Sequence, residues 1–213
     1  RIQIDSRVQR FERLLDCPSF VPLEILTPVA QRILRTLSRS KQPLVFVLDR
    51  TMLRDQDNLL FVSAACAGRC VPLGWVRVPH EGTSKLDEQQ RLLRWAAACL
   101  PRGVEAWVVA DREFHSIELA HWIGEALGLH AIVRIQANTY VELDGTRQQA
   151  KTLAVAGQWR LYPNAIITQA KQARAWPKAV LAYWDAKQAE PWLLISQVED
   201  GPQLEARYRQ RFW

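Results

Sequence analysis

Two largely apolar segments, each followed by an aspartate, constrain the fold of this chain most. Leu44–Leu48 (LVFVL) is continuously apolar and leads into Asp49, and Val104–Ala110, in which only Glu105 is charged, leads into Asp111. A continuous apolar run of this length, rich in β-branched residues, is typical of a strand buried on both faces. Such strands need covering layers on both sides, so the pattern predicts an α/β fold with a carboxylate at the end of two central strands.

The neighbouring segments predict the order in which helices and strands follow one another. Turn and cap signals bound five strands and two helices, at 44–48, 59–66, 70–78, 104–110 and 129–135 for the strands and at 85–100 and 116–127 for the helices. Ser84 is the expected N-cap of the first helix, and Gly128 ends the second. Three antiparallel strands followed by helix-linked parallel strands (β-β-β-α-β-α-β, then α) indicate a ribonuclease-H-like mixed sheet. Pro72 and Gly74 predict that the third strand lies at an edge or carries a bulge.

The rest of the chain divides into segments of different character. Residues 1–43 form an Arg-rich helical segment, with helices expected at 6–16 and 28–39 between Pro18, Pro22 and Pro28. Residues 44–136 form the first part of the core. Residues 137–190 form a β-rich insertion, in which turns are expected at 144–145, 156–157, 162–164 and 176–177. Residues 191–213 hold a last core strand (192–198) and a helix that begins near Gln203. Because the chain opens on Arg1 rather than Met, we expect a fragment of a longer protein.

Composition excludes several classes of protein. At 48% hydrophobic and 23% charged residues the chain is neither disordered nor fibrous, and no apolar run reaches the ~18–20 residues of a membrane helix. Its net charge is +6, and Arg outnumbers Lys 22 to 6. Residues 1–43 alone hold eight basic and four acidic side chains. This charge fits a polyanionic partner, although an arginine-rich helix face is equally a solvated surface.

The cysteines and histidines show no metal-ligand spacing. Free thiols, buried in a reducing cytosol, are expected for all four cysteines, Cys17, Cys66, Cys70 and Cys99. Packing or surface roles are expected for the four histidines, His80, His115, His121 and His130.

Asp49 and Asp111 are the candidates for chemistry. A side chain at a strand end is exposed at the rim of the sheet and held rigidly, which suits metal binding. Phosphodiester chemistry uses such carboxylates, because Mg²⁺ takes oxygen ligands and paired ions hold the attacking and leaving oxygens. Either aspartate alone could instead be a turn or helix-cap residue.

The last predicted helix adds an aromatic and a cationic side chain. At about 100° per residue, positions 208, 211 and 215 fall on one helical stripe. Tyr208 and Arg211 occupy the first two positions. A Y-x-x-R-x-x-x-E pattern would place a carboxylate at 215, beyond Trp213. Glu205 lies off this pattern and is interpreted as an acid in the first turn of the helix.

In this order and spacing, the motifs resemble the DDE transposases of the bacterial insertion-sequence-four family. The matching segments run from about residue 44 to the end of the chain: LVFVLDRT, VVADREF, IVRI, WLLIS and YRQRFW. The resemblance implies a split ribonuclease-H-like core with a β insertion. It also implies an enzyme that cleaves DNA at the ends of a mobile element and transfers the strands, without a covalent enzyme intermediate.

The resemblance also implies roles for individual residues. Asp49 and Asp111 would be catalytic and would bind two Mg²⁺ ions, for which Mn²⁺ can substitute. The residues expected to contact DNA are Thr51, Arg112, Arg134, Tyr208 and Arg211, although Arg112 and Arg134 could instead order the acids or pair with Glu113 or another acid. Three tryptophans of the insertion could stack on a flipped base or lie in the core, namely Trp159, Trp176 and Trp184. The expected partners are double-stranded DNA and a second copy of the chain on that DNA, in the bacterial cytoplasm at the nucleoid.

Three alternatives stay open. A catalytically incomplete transposase fragment would bind DNA or an intact subunit without reacting. A ribonuclease-H-like nuclease would share the fold, although the helix of Tyr208 and Arg211 favours a transposase. A haloacid-dehalogenase-type phosphotransferase needs a second aspartate where this chain has Thr51, which disfavours it.

Overall fold

The structure, a computed structural model, describes residues 21–53, 57–80, 82–168, 176–185 and 187–212, together with residues 6, 9–10, 13–14 and 17. The helix expected at 6–16 therefore lies mostly outside the described residues. The described residues form a mixed α/β fold with ten strands in one sheet and four α-helices.

The elements follow the predicted order through the first half of the chain. The helices are α1 (Pro22–Leu37), α2 (Leu86–Ala98), α3 (Ile117–Leu127) and α4 (Gly201–Arg209). The strands are β1 (Leu44–Leu53), β2 (Asp57–Cys66), β3 (Arg69–Val78), β4 (Ala106–Ala110), β5 (His130–Arg134), β6 (Tyr140–Leu143), β7 (Thr146–Gln149), β8 (Arg160–Thr168), β9 (Trp176–Tyr183) and β10 (Trp192–Ser196).

The sheet has the strand order β3-β2-β1-β4-β5-β10-β9-β8-β6-β7. The strands β1, β4 and β5 are parallel, and the other neighbouring pairs are antiparallel. In the parallel pair of β1 and β4, Leu48 lies opposite Ala110. An aspartate follows each of these two residues along the chain, so this register brings Asp49 and Asp111 to the same edge of the sheet.

Side chains that alternate along the central strands fill two separate cores. On one face, Leu44, Phe46 and Leu48 of β1 pack with buried residues of α1, α2 and α3. On the other face, Val45 and Val47 pack with Leu204 and Tyr208 of α4. Because successive strand residues point to opposite faces, Asp49 and Asp111 belong to the face that α4 covers.

Strand β3 is an edge strand with a bulge, as Pro72 and Gly74 predicted. The register of the β2–β3 pair shifts between Val62 and Ser63, which lie opposite Gly74 and Pro72. A methyl group at Gly74 would lie 2.5 Å from the ring of Trp95, so glycine here allows α2 to pack closely on the strand.

Two expectations for the helices are wrong in detail. Helix α1 begins at Pro22 and contains Pro28, where the sequence predicted a break. Helix α1 packs on β3 and accepts hydrogen bonds from Trp95 of α2 at Leu23 and Thr27, and these contacts offset the local cost of an internal proline. Lys85, rather than Ser84, is the N-cap of α2, and its backbone N–H donates to Glu88 (2.6 Å). The Ser84 hydroxyl instead accepts a hydrogen bond from Gln89 (3.0 Å).

The β-rich segment 137–190 extends the core sheet through β10. Its hairpin turn lies at Asp144 and Gly145, both with positive φ (49° and 76°), as predicted. The turn expected at 156–157 is also confirmed, since Gly157 has a positive φ (73°) and Val155 and Gln158 form a bridge across it. The last two expected turns are wrong: Asn164 (φ 55°) lies in a bulge within β8, and Trp176 and Pro177 begin β9. A proline is tolerated at the first positions of a strand. The division of the chain into 1–43, 44–136, 137–190 and 191–213 stays a prediction.

The cysteines are free thiols, as expected, but only Cys99 is buried; Cys66 and Cys70 are partly buried and Cys17 is exposed. Within the described part of the chain, no helix is both long enough and apolar enough to cross a membrane.

Candidate functional site

The site begins with two carboxylates on neighbouring strands. Asp111 directly follows β4, as predicted. Asp49 was expected at the end of its strand but lies inside β1, opposite Phe61, because pairing with β2 continues β1 to Leu53. The backbone N–H of Arg50 donates to Asp49 Oδ1 (2.9 Å), and that of Arg112 donates to Asp111 Oδ1 (2.6 Å). Asp49 is exposed, whereas the Asp111 side chain is 30% exposed. Each carboxylate is therefore oriented by the residue that follows it while one side stays open to solvent.

Two arginines from distant elements converge on Asp111. Arg211, just after α4, donates through Nη2 to Asp111 Oδ2 at 2.7 Å. Arg134, at the end of β5, places Nη1 3.7 Å from Asp111 Oδ1 and donates through Nη2 to the carbonyl of Pro191 (3.3 Å). Each arginine side chain is only 14% exposed, so these ion pairs are largely shielded from solvent. Three of the predicted site residues, Asp111, Arg134 and Arg211, thus form one cluster.

Tyr208 anchors the helix that carries Arg211. Its ring is completely buried and makes an edge contact with Trp192 (centroids 5.3 Å apart). Burial raises the pKa of Tyr208, and the nearby Arg211 opposes that rise. The phenol is therefore a neutral packing group in this structure, and its contact with DNA stays a prediction.

Cys70 lies close to the same charges, a position that no sequence pattern predicted. Burial raises the pKa of its thiol, Asp49 raises it further and Arg211 opposes both effects. Its Sγ lies 4.0 Å from the carbonyl oxygen of Gln210. Cys70 is therefore a protonated neighbour of the acid pair.

A second arginine network joins residues that closely follow the two aspartates in sequence. Arg50 donates through Nε to Glu113 (2.9 Å) and through Nη1 to the carbonyl of Gly82 (2.7 Å) and to Asn58 Oδ1 (3.2 Å). Asn58, itself buried, donates to the same carbonyl (2.9 Å). The sequence analysis did not predict this network. The one sequence feature that could have indicated it is that Arg50 and Glu113 closely follow the two aspartates.

The remaining predicted DNA contacts lie further from Asp111. Arg112 pairs with Glu190, which confirms the alternative of an ion pair with another acid, although the sequence did not indicate which acid. Thr51 is exposed, two residues beyond Asp49 on the same face of β1. The structure therefore separates these two residues from the cluster of Arg134, Arg211 and Asp111.

The tryptophans of the 137–190 segment differ in their surroundings. Trp159 is half-buried and stacks on Tyr183 (4.4 Å, 15°) near Trp192, with the guanidinium of Arg209 5.9 Å from its centroid. Trp184 is 37% exposed, and its indole donates to the carbonyl of Gln188 (3.1 Å). The side chain of Trp176 lies outside the described residues. Trp159 thus packs in an aromatic cluster, while Trp184 reaches the surface.

The acid pair fits part of a magnesium ligand set. Carboxylate oxygens are the ligands Mg²⁺ prefers, and it commonly binds one or two carboxylates with water and substrate phosphates. Among the described residues, no three His, Cys, Asp or Glu side chains are grouped to hold a metal. Asp49 and Asp111 would hold such an ion, with its other ligands supplied from elsewhere.

Comparisons with known proteins add two distant structural similarities. No protein-family model and no curated protein matches the chain. Endonuclease V from Ciona intestinalis, solved with a 24-mer DNA containing an inosine followed by a ribo-adenosine, is 13% identical with a TM-score of 0.44. The alignment covers 81% of this chain and 78% of that one. The C-terminal lobe of a budding yeast Argonaute is 11% identical with a TM-score of 0.34, over 87% of this chain and 46% of that one. At these values neither similarity carries an argument about function.

Proposed function

We propose that this chain is the catalytic part of a DDE transposase of the insertion-sequence-four family, which cleaves and transfers DNA strands in a metal-dependent reaction. The observation that carries the proposal is the bond between Arg211 and Asp111 (2.7 Å). It brings the helix of the Tyr-Arg pattern onto the acid pair at the sheet edge. A helix that only covered the sheet would not need to place a cation there.

The topology supports a ribonuclease-H-like core. Strands β1, β2 and β3 are antiparallel neighbours, and β4 and β5 add to β1 as parallel strands through helical crossovers. Asp49 and Asp111 each follow the last residue paired between β1 and β4, although β1 itself continues along β2. This arrangement would present two carboxylates side by side to a phosphodiester that crosses the carboxyl edge.

The acids and the arginines of the site would have different roles in the reaction. Asp49 and Asp111 would hold magnesium, which when bound stabilises charge on phosphate oxygens and lowers the pKa of water. Arg134 and Arg211 would orient Asp111 and, beside it, offer guanidinium donors to phosphate oxygens. In the first step water attacks phosphorus, the P–O3′ bond breaks, and the 3′ oxygen leaves with a proton. In the second step that 3′ hydroxyl attacks another phosphodiester and displaces its 3′ oxygen.

The test is DNA cleavage by the polypeptide encoded by the complete reading frame. The substrate is a DNA that carries the terminal repeats of the element, with Mg²⁺. Asp49→Ala and Asp111→Ala are expected to lose cleavage by 100-fold or more, whereas the exposed control Glu199→Ala keeps it. Cleavage that survives in either aspartate variant would overturn the assignment of the acid pair.

A second function is favoured by one observation. Among the described residues, no third His, Cys, Asp or Glu side chain joins Asp49 and Asp111 to complete a set of metal ligands. A chain that binds DNA without cleaving it would have this property. In that case the chain would bind DNA equally well in a buffer with EDTA and in a buffer with Mg²⁺, and it would not cleave the DNA in the buffer with Mg²⁺. A dimer on DNA and a location at the nucleoid depend on the transposase proposal and stay predictions.

A further inference from the structure

A polar cleft opens beside the acid pair and is not used by the proposed chemistry. Its volume is about 520 Å³, within the range of about 300–1,000 Å³ that is usual for ligand sites. The cleft is lined by Arg112, Gln136, Ala137, Asn138 and Glu190. Arg112 directly follows Asp111, so one wall of the cleft adjoins the candidate active site.

The lining groups match the chemistry of a nucleotide. A side-chain amide presents a donor and an acceptor in one plane, which is the arrangement that pairs with the edge of a base. Gln136 and Asn138 both supply amides, from the loop that follows β5. Among the described residues, the Asn138 side chain has no hydrogen-bond partner, and Gln136 has a single long contact of 3.5 Å, with His115 Nδ1. Both amides are therefore available to a ligand.

The charged wall of the cleft matches a phosphate. The Arg112 side chain is 51% exposed, and its guanidinium is paired with Glu190, which is 45% exposed. A pair with this exposure is weak in water, so a phosphate can replace the glutamate as the partner of Arg112. Glu190 thus competes with a bound strand for this arginine.

We propose that the cleft is a subsite for one unpaired nucleotide of the DNA strand that crosses Asp111. Gln136 and Asn138 contact the edge of its base, and Arg112 exchanges Glu190 for its phosphate. The inference rests on the proposed function, because a strand must lie along the acid pair for its next nucleotide to reach the cleft. It adds base-edge recognition to a site otherwise built from carboxylates and guanidinium groups.

The experiment is an abasic scan of DNA binding in EDTA, where no cleavage occurs. The probes are fluorescein-labelled 20-nucleotide single strands of one mixed sequence, each with one abasic position. We expect one abasic position near the centre to weaken binding by about fivefold or more, as the loss of a bidentate base contact would. The double variant Gln136→Ala/Asn138→Ala should bind the intact strand correspondingly more weakly and lose this position dependence. Gln90→Ala on α2, outside the cleft, should retain both.

The same assay tests the roles of Arg112 and Glu190, which form the charged wall of the cleft. Glu190→Gln should bind the intact strand more tightly at low salt, and Arg112→Ala should lower the salt slope of binding by about one. Strong binding with equal loss at every abasic position would overturn the subsite and leave the proposed function standing. No binding of any strand or of duplex DNA would overturn both.

Discussion

Arg211 and Asp111 lie 100 positions apart in sequence, yet their side chains meet at 2.7 Å (Nη2–Oδ2). The bond joins the end of α4 to the carboxyl end of β4. The two side chains are 14% and 30% exposed, so solvent screens the pair only in part. Tyr208, one turn earlier and completely buried, holds the same helix on the sheet.

Arg211→Ala is expected to destabilise the fold by about 1–3 kcal/mol, the usual cost of losing a hydrogen bond to a charged group in a shielded position. The measurement is the free energy of unfolding in urea. Arg207→Ala is the matched control, because Arg207 lies on α4 and its side chain forms no hydrogen bond or ion pair with any described residue. The control should change stability by less than about 0.5 kcal/mol. Equal losses in the two variants would show that the ion pair contributes nothing.

Tyr208 should make the fold sensitive to alkali. Its pKa is raised in the folded protein, mainly by burial, so the folded state binds the phenolic proton more tightly than the unfolded state does. This contribution is complete below the unfolded pKa of about 10 and is lost as the pH rises through the folded pKa. Tyr208→Phe should therefore flatten the fall in unfolding free energy above about pH 10.

The comparison at pH 7 is the control for this variant, because there the hydroxyl is protonated in both states and a difference reports only the lost contacts of the hydroxyl, which include its hydrogen bond with Arg211. Cys70 and Cys99 also have pKa values raised by burial, from 9.0, and they lower stability with the same sign at somewhat lower pH. A wild-type protein and a Tyr208→Phe variant with parallel profiles up to pH 11.5 would contradict the prediction.

Patterns that reflect burial on both faces predicted most of the central sheet. Leu44–Leu48 has no polar residue to interrupt it, and the directions of parallel strands then bring Asp49 and Asp111 to one edge. Predictions from local sequence were wrong where tertiary packing determines the conformation. Pro28 lies inside α1, and the turn expected at 162–164 is a bulge in β8. In both places neighbouring elements supply the stabilisation that the local sequence lacks.

The candidate site was predictable only where its residues carry a local pattern. The acids follow apolar strands, and Tyr208 and Arg211 share a helical stripe, so their types and spacing were readable. The pairing of Arg112 with Glu190 spans 78 positions, and that of Arg50 with Glu113 spans 63. Long flexible side chains that meet across such distances leave no periodic trace, so these partners emerge only from the folded chain.

Gly74→Ala should destabilise the edge of the sheet. An added methyl group would lie 2.5 Å from two ring atoms of Trp95 and 3.2 Å from Leu23. The ring cannot easily move, because its Nε1 donates to Thr27 Oγ1 (2.9 Å) and to the carbonyl of Leu23 (3.1 Å). We expect a loss of about 1–3 kcal/mol in unfolding free energy, as in other overpacked sites.

Gly124→Ala is the matched control for that substitution. Gly124 lies inside α3, and an added methyl group would be 3.5 Å from Gln197, an ordinary contact. Replacing a helical glycine by alanine should stabilise the fold by about 0.5–1 kcal/mol. The two substitutions should thus change stability with opposite signs, and a neutral Gly74→Ala would show that Trp95 can yield.

Binding of Mg²⁺ or Mn²⁺ should raise the thermal stability of this chain through Asp49 and Asp111. A ligand that binds only the folded state at ten times its dissociation constant adds about 1.4 kcal/mol. Asp49→Asn and Asp111→Asn should remove the increment, because an amide is a poorer ligand than a carboxylate for a hard cation. Arg211→Ala should enlarge the metal-dependent increment in stability relative to that variant's own metal-free baseline, since Asp111 Oδ2 is then released from its 2.7 Å bond.

Glu199→Gln is the control. It changes an exposed acid away from β1 and β4 and should behave as wild type. An increment that persists in both asparagine variants would place the cation elsewhere and remove the main support for metal-dependent chemistry at this edge of the sheet.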